Sequence, residues 1–341
     1  MYTRRRFPFL TVLRGTWLVF PIVGLWAAFV TTAHVHLGLE WVRIPTLLLT
    51  VLGTAVSFYL GFKGSSGYDR LWEARKIWGG IVNDSRTWGI EVTTMVSDLH
   101  REEPGEAPLP EVHRELVYRH IAWLAALRTQ LRRVKPWEHV RALNHARRQD
   151  YDTFDNSDAR LRERIAPFVS ADELDYIMVA KNPATRLLHR QAERLRELYA
   201  ERRIEDFRHM EMSGLLRAFF ALQGKCERIK NFPLPRQYAS ANFWFVIIFI
   251  ILLPLGLVDA SHVSGLSENF VWVTVPGTIF LGWVFFIWDR LLDYSENPFE
   301  GLTNDIPMDS LSRTIEIDLR QMLGETDLPG PIPPVRNHVV M

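Results

Sequence analysis

Apolar runs separated by densely charged stretches organise this chain. Four windows contain no Asp, Glu, Lys, Arg or His: Gly15 to Ala33, Ile44 to Phe62, Gln237 to Val258 and Asn269 to Trp288. Each is close to the ~20 residues that carry a helix across ~30 Å of hydrocarbon at ~1.5 Å per residue. The pattern therefore predicts four membrane spans. Between the second and third windows, Lys63 to Arg236 is too polar for a bilayer and reads as helices. Ser66 to Leu99 predicts a helix before the break EEPGEAPLP. Glu111 to Arg133 predicts the next, with Leu116, Ile121, Leu124 and Leu127 as its apolar positions. Ser170-x-x-Glu173 reads as a capping box, and Asn182-Pro183 as a cap followed by proline at the first helical position, opening a helix to about Arg203. Asp206 to Lys230 predicts another helix, ended by NFPLPR. After the fourth window Asp309 is placed to cap a helix to about Leu323, and the tail GPIPPV is expected to be extended. The fold class is all-α, in five segments: an N-terminus (1–14), spans one and two (15–62), a large helical domain (63–236), spans three and four (237–288), and a C-terminal helix with a Pro-rich tail (289–341).

Average composition conceals this division. The 341 residues carry 40 Lys+Arg and 39 Asp+Glu, and the mean hydropathy is −0.04. The four windows hold about 80 residues, so the charges make up roughly 30% of the remainder, the mark of a chain divided between two solvents. A purely soluble enzyme, a disordered chain and a disulfide scaffold are excluded; Cys226 is the sole cysteine. Arg4, Arg5, Arg6 and Arg14 precede the first window as in a signal peptide, but no small-residue cleavage site follows. With four spans, the short connections His34 to Arg43 and Asp259 to Glu268 share one side and contain a single Lys/Arg, Arg43. The positive-inside rule then puts both termini and the 63–236 domain in the cytoplasm.

Catalytic and metal-binding constellations are scarce. His34-x-His36 places two imidazoles about 200° apart on a helix, which suits residues at a membrane edge better than a shared metal. His113 and His120, flanked by Arg114 and Arg119, read as surface residues, and Cys226 as a buried structural thiol. No HExxH, GxSxG or GxxxxGK[ST] motif occurs. The second window offers a different signal: Thr54, Phe58 and Phe62 recur at i, i+4 and i+8 along one helical face. Taken alone, that stripe is ordinary helix packing. If ions cross, several copies must surround the path, each contributing one helix.

The run FYLGFKGSSGYDRLWEARKIWGGIVNDSRTW, from Phe58 to Trp88, resembles the signature of the bestrophin family, particularly its bacterial members. CERIKNFPLP from Cys226 and ENPFEGLTNDIPMDSLSRTIEI from Glu296 support the match, which runs through nearly the whole chain in order. The resemblance implies a homopentameric ion channel with five copies of the second span around a central pore. It puts a three-ring neck on Thr54, Phe58 and Phe62, and a cytosolic aperture on Leu234 between Pro233 and Pro235. Phenylalanine rings would form a short apolar constriction able to gate by dewetting. Thr54 departs from the apolar residue usual at the outermost ring and should leave it wetter.

Asp69, Arg70, Glu73, Arg75, Lys76, Asn83, Asp84 and Arg86 form a mixed cluster after the stripe. Asp69, Glu73 and Asp84 could line a vestibule and bias entering ions; such clusters more often knit helices together, with Glu73 pairing Lys76 and Tyr68, Trp72 and Trp88 packing. Animal relatives carry a calcium clasp with an acidic run after the NPF motif. Here Glu300 to Asp305 holds only two separated acids, so no calcium gating is expected there. The sequence thus predicts a passive channel for small monovalent ions in the lipid bilayer, with no catalytic residue, cofactor, metal or nucleic-acid partner. The neck carries no charge to decide ion sign: the family label is chloride channel, while the bacterial motifs and missing clasp lean toward cations. The alternative is a membrane-anchored, non-conducting helical scaffold or sensor.

Overall fold

The computed structural model describes residues 1–99, 107–138, 156–265 and 268–334. Their helices, in chain order, are α1 (Phe9–Thr16), α2 (Val19–Val35), α3 (Thr46–Met95), α4 (Leu109–Arg132), α5 (Asp158–Ile165), α6 (Ala171–Met178), α7 (Pro183–Ala200), α8 (Asp206–Asn231), α9 (Arg236–Val263), α10 (Glu268–Val271), α11 (Thr274–Asp293) and α12 (Met308–Met322). The chain divides into two compact units. A membrane unit comprises Arg4–Arg70 and Pro233–Glu296, and a polar unit Met1–Thr3, Leu71–Phe232 and Asn297–Met341. Most of the break EEPGEAPLP and the last residue of GPIPPV lie outside the described residues; Gly330 to Pro334 take no regular structure.

In the membrane unit, α3, α9 and α11 are long and apolar enough to cross a bilayer. The pair α1 and α2 makes a fourth span if its 60° bend is taken within one crossing. The bend has a local cause: Pro21 has no N–H to offer the Trp17 carbonyl, which instead accepts from Phe20 N at 3.3 Å. Helices α2, α9 and α11 pack on one another. Val23 of α2, Leu49, Val56 and Leu60 of α3, and Val246, Phe249, Ile250 and Leu253 of α9 form one core, against which Leu281, Phe285 and Phe286 of α11 pack. Gly256 permits close approach of α3 and α9: a Cβ there would lie 2.6 Å from Leu49 Cδ2. Asp259, at the far end of α9, accepts hydrogen bonds from Thr46 N and Thr46 Oγ1, both at 2.9 Å, and so caps the start of α3 from another helix. Trp17, Trp41, Trp272 and Trp288 are exposed near helix ends, as amphipathic rings are at a membrane interface.

In the polar unit α4 lies at the centre, against α5, α7, α8 and α12. Neighbours on every side bury Arg119 through Leu127 without interruption, which corrects the surface reading of Arg119 and His120. His120 is 3% exposed, its ring 4.5 Å from Phe219 and 5.1 Å from Trp123 between centroids. Its Nε2 lies 2.9 Å from Ser85 Oγ, and burial pushes its pKa down to about 3. Arg119 is bound by Glu173, by Glu115 at 2.7 Å and by Gln191 at 3.1 Å. Ser170 does cap α6, accepting from Glu173 N, yet the Glu173 carboxylate goes to Arg119, so the second half of the expected box is not made. Asn182 caps α7 as its sequence suggests, accepting from Thr185 N with Pro183 at the first position. Asp309 is not a cap: Pro307 occupies that place, and Asp309 pairs with Arg128 at 2.8 Å. Cys226 is wholly buried, and burial raises its thiol pKa.

Candidate ion pathway

Span two and the helix expected after it are one element, the 50-residue α3. Nothing between Phe62 and Ser66 interrupts it, because the glycines and serines there lack the proline or cap that would end a helix. Thr54, Phe58 and Phe62 are all exposed on α3, Phe58 at 74% and Phe62 at 59%. Val56 and Leu60, on the opposite side, are buried in the core. The apolar window of α3 is 17% buried, the same as that of α11, against 44% for α9. Thr54 donates its hydroxyl to the Thr50 carbonyl at 2.8 Å, so its proton is engaged within the helix. The Phe58 ring meets Tyr59 edge-on, centroids 6.4 Å apart.

Asp69 is exposed and falls on the Thr54, Phe58 and Phe62 face by helical register, within about 80° of arc at ~100° per residue. In the polar unit, Glu73 pairs with Arg228 rather than Lys76. Asp84 is half-buried, and desolvation raises its carboxyl pKa. Trp88 is a core residue, whereas Tyr68 is 59% and Trp72 46% exposed.

Pro233, Leu234 and Pro235 are non-helical between α8 and α9, as two prolines in three residues dictate. Pro233 and Leu234 are half-buried and Pro235, which precedes the first residue of α9, is exposed. The adjoining Arg236 reaches buried Glu296 at 3.1 Å. In the polar unit, both acids of the stretch after NPF are held by local hydrogen bonds. Glu300 accepts from Asn297 Nδ2 at 2.7 Å, and Asp305 accepts from Gly301 N at 2.6 Å and Leu302 N at 2.9 Å. Burial, opposed by the Arg132 charge, pushes the Asp305 carboxyl up to about 6. No group of three or more His, Cys, Asp or Glu is placed to hold a metal ion among the described residues.

One set of residues escaped the sequence reading. Lys63 is 5% exposed and lies 2.8 Å from Asp289 and 2.7 Å from Asp293. The signal was present: Lys63 is the first charge after the second window, and Asp289 begins an i, i+4 aspartate pair directly after the fourth.

These features define a polytopic all-helical membrane protein with an attached polar helical unit. A family model described as bacterial/fungal bestrophin protein matches residues 10–321, and the chain belongs to that family. Among curated relatives, the voltage-dependent anion channel-forming protein YneE of Escherichia coli is 28% identical, over 89% of this chain and 84% of its own length. A voltage-dependent anion channel-forming protein of Mesorhizobium japonicum is 29% identical, over 81% and 74%. The fold is that of a bacterial bestrophin homologue from Klebsiella pneumoniae, known as a crystal structure: TM-score 0.71, 23% identity, 91% of this chain and 99% of that one.

Proposed function

We propose that this chain is the subunit of a passive ion channel for small monovalent ions, a homopentamer in the bacterial inner membrane with both termini cytoplasmic. The observation that carries the reading is the stripe of Phe58 and Phe62, two large apolar rings left uncovered on the long helix whose other side builds the core. Five such stripes around an axis give a narrow dewetting constriction. Thr54 adds a polar outer ring, and Pro233-Leu234-Pro235 a stiff second restriction where α8 gives way to α9. Relatives named as anion channel-forming proteins support conduction. The uncharged neck leaves the sign of the ion to the charges around it, and Asp69 on the stripe's own face contributes a carboxylate from each copy. Glu73 and Asp84 would act further along the vestibule. No residue is assigned a catalytic role.

Planar-bilayer recording under a KCl gradient tests this: the reversal potential reports the sign of the permeant ion. Phe58→Ala and Phe62→Ala are expected to raise conductance severalfold by widening and wetting the neck, and Leu234→Ala to change rectification. Asp69→Asn is expected to move the reversal potential toward the anion side. Currents unchanged in size, selectivity and rectification by Phe58→Ala and Leu234→Ala would end the channel reading.

One surface favours the second reading, a scaffold. Between α7 and α8 of the polar unit runs an open groove of about 700 Å³, floored by Leu188, Leu216, Met210 and Phe220. Purified oligomers that give no ion flux in liposomes would turn the balance toward a recruiting role.

A further inference from the structure

Lys63 stands one residue beyond Phe62, yet the two side chains lead opposite lives. Phe62 is 59% exposed. Lys63 is buried and donates to Asp289 Oδ1 at 2.8 Å and Asp293 Oδ1 at 2.7 Å, both on α11. The next contacts continue the same line. A Cβ on Gly64 would lie 2.9 Å from Leu292 Cδ2, and one on Gly67 3.6 Å from the Ser295 carbonyl oxygen. Arg70 Nε donates to the Glu296 carbonyl at 2.9 Å. Lys63, Gly64, Gly67 and Arg70 thus form a seam against the end of α11, occupying about 120° of the α3 circumference at ~100° per residue. Thr54, Phe58 and Phe62 occupy about 80° on the other side, and the two arcs are centred about 180° apart.

We propose that Lys63 is a positioning residue of the pathway: its ion pairs with Asp289 and Asp293 fix the rotation of α3 so that the Phe58 and Phe62 face turns away from α11, toward the ions. The inference rests on the pathway reading above. Small side chains at Gly64 and Gly67 let the helices approach but allow sliding and rotation, because smooth surfaces resist neither. A cation between two carboxylates on successive turns of α11 resists both. Burial makes the restraint stiff, since any rotation that separates the charges leaves them desolvated and uncompensated. Without the cation, the two carboxylates repel each other, and α3 loses the contact that sets its angle.

The test reads rotation directly. In a Cys226→Ser background, cysteines are placed singly at Ser57, Phe58 and Tyr59, and the channels are exposed in planar bilayers to a charged thiol reagent. With Lys63 present, the reagent is expected to alter current at Phe58→Cys and not at Ser57→Cys or Tyr59→Cys. Lys63→Met should slow modification at Phe58→Cys severalfold and bring Ser57→Cys or Tyr59→Cys into reach, and Lys63→Arg should restore the original pattern. Asp289→Asn and Asp293→Asn should each move it in the direction of Lys63→Met. An unchanged pattern in Lys63→Met, with Phe58→Cys still reactive, overturns the positioning role and leaves the pathway standing. If Phe58→Cys never responds with Lys63 in place, the pathway reading fails and this role falls with it. Loss of assembly in Lys63→Met, Asp289→Asn and Asp293→Asn alike, judged by size-exclusion chromatography, would reduce the triad to a stability element and also overturn the role.

Discussion

A proton added to His120 would place a cation beside Trp123 and Phe219, with the Ser85 hydroxyl at hydrogen-bonding distance, in a site almost closed to water. Folding therefore lowers its pKa from the ordinary value near 6.5 to about 3. Between those values the unfolded chain binds the proton that the native one refuses. Stability is thus complete above pH ~6.5 and falls as the medium becomes more acid. The expected loss at this residue is about 2 kcal/mol between pH 7 and pH 5. Thermal unfolding in detergent checks it: the wild type should lose stability over that interval more steeply than His120→Gln. Asp305 acts in the opposite sense. Its carboxyl is raised to about 6 by burial, so its contribution is present at low pH and is lost as pH rises through 6.

The contact of α3 with α9 is close because Gly256 has no side chain. Gly256→Ala would drive a Cβ to 2.6 Å from Leu49 Cδ2 and 3.0 Å from Leu49 Cβ. The second atom cannot swing away, since it is fixed to the α3 backbone. Overpacking of this kind costs about 1–3 kcal/mol, more than the ~1 kcal/mol that alanine gains over glycine as a helix former. Gly256→Ala should therefore lower the unfolding temperature in detergent, whereas alanine at Gly61, which meets nothing within 4 Å, should not. Elements with a long composition signature were legible in the sequence: the charge-free windows mark helices because a bilayer tolerates little else. The capped starts of α6 and α7 were legible because Ser170 and Asn182 act within three residues. What could not be read depends on distant partners. One-sided periodicity misplaced His120 and Arg119, since α4 is covered all round. Glu173 deserts its cap for a guanidinium 54 positions away in the chain. The α3 stripe was visible as spacing, but its exposure is a property of the folded unit, and Lys63 needed α11 beside it to gain meaning.

At the level of the whole molecule, charge distribution makes a prediction about topology. The connections at 34–43 and 259–268 carry one Lys/Arg between them, so both are expected outside the cytoplasm. In a Cys226→Ser background, Leu37→Cys and Ser264→Cys should react with an impermeant maleimide in intact cells, and Thr326→Cys only after permeabilisation. Labelling in the reverse order would invert the orientation. Native mass spectrometry of the purified protein should report five copies.

The tryptophans give the two units separate optical signatures. Trp78, Trp88 and Trp123 are sealed inside the polar unit, while Trp17, Trp41, Trp272 and Trp288 face outward from the membrane unit. Brominated lipids quench indoles only on contact. In such vesicles the outward group should go dark, leaving the emission of the polar unit, from the sealed three together with Trp72 and half-buried Trp137. Loss of that residual light during denaturation would follow the polar unit alone, and recovery of the quenched signal would follow departure from the lipid, so one cuvette would show which of the two gives way first.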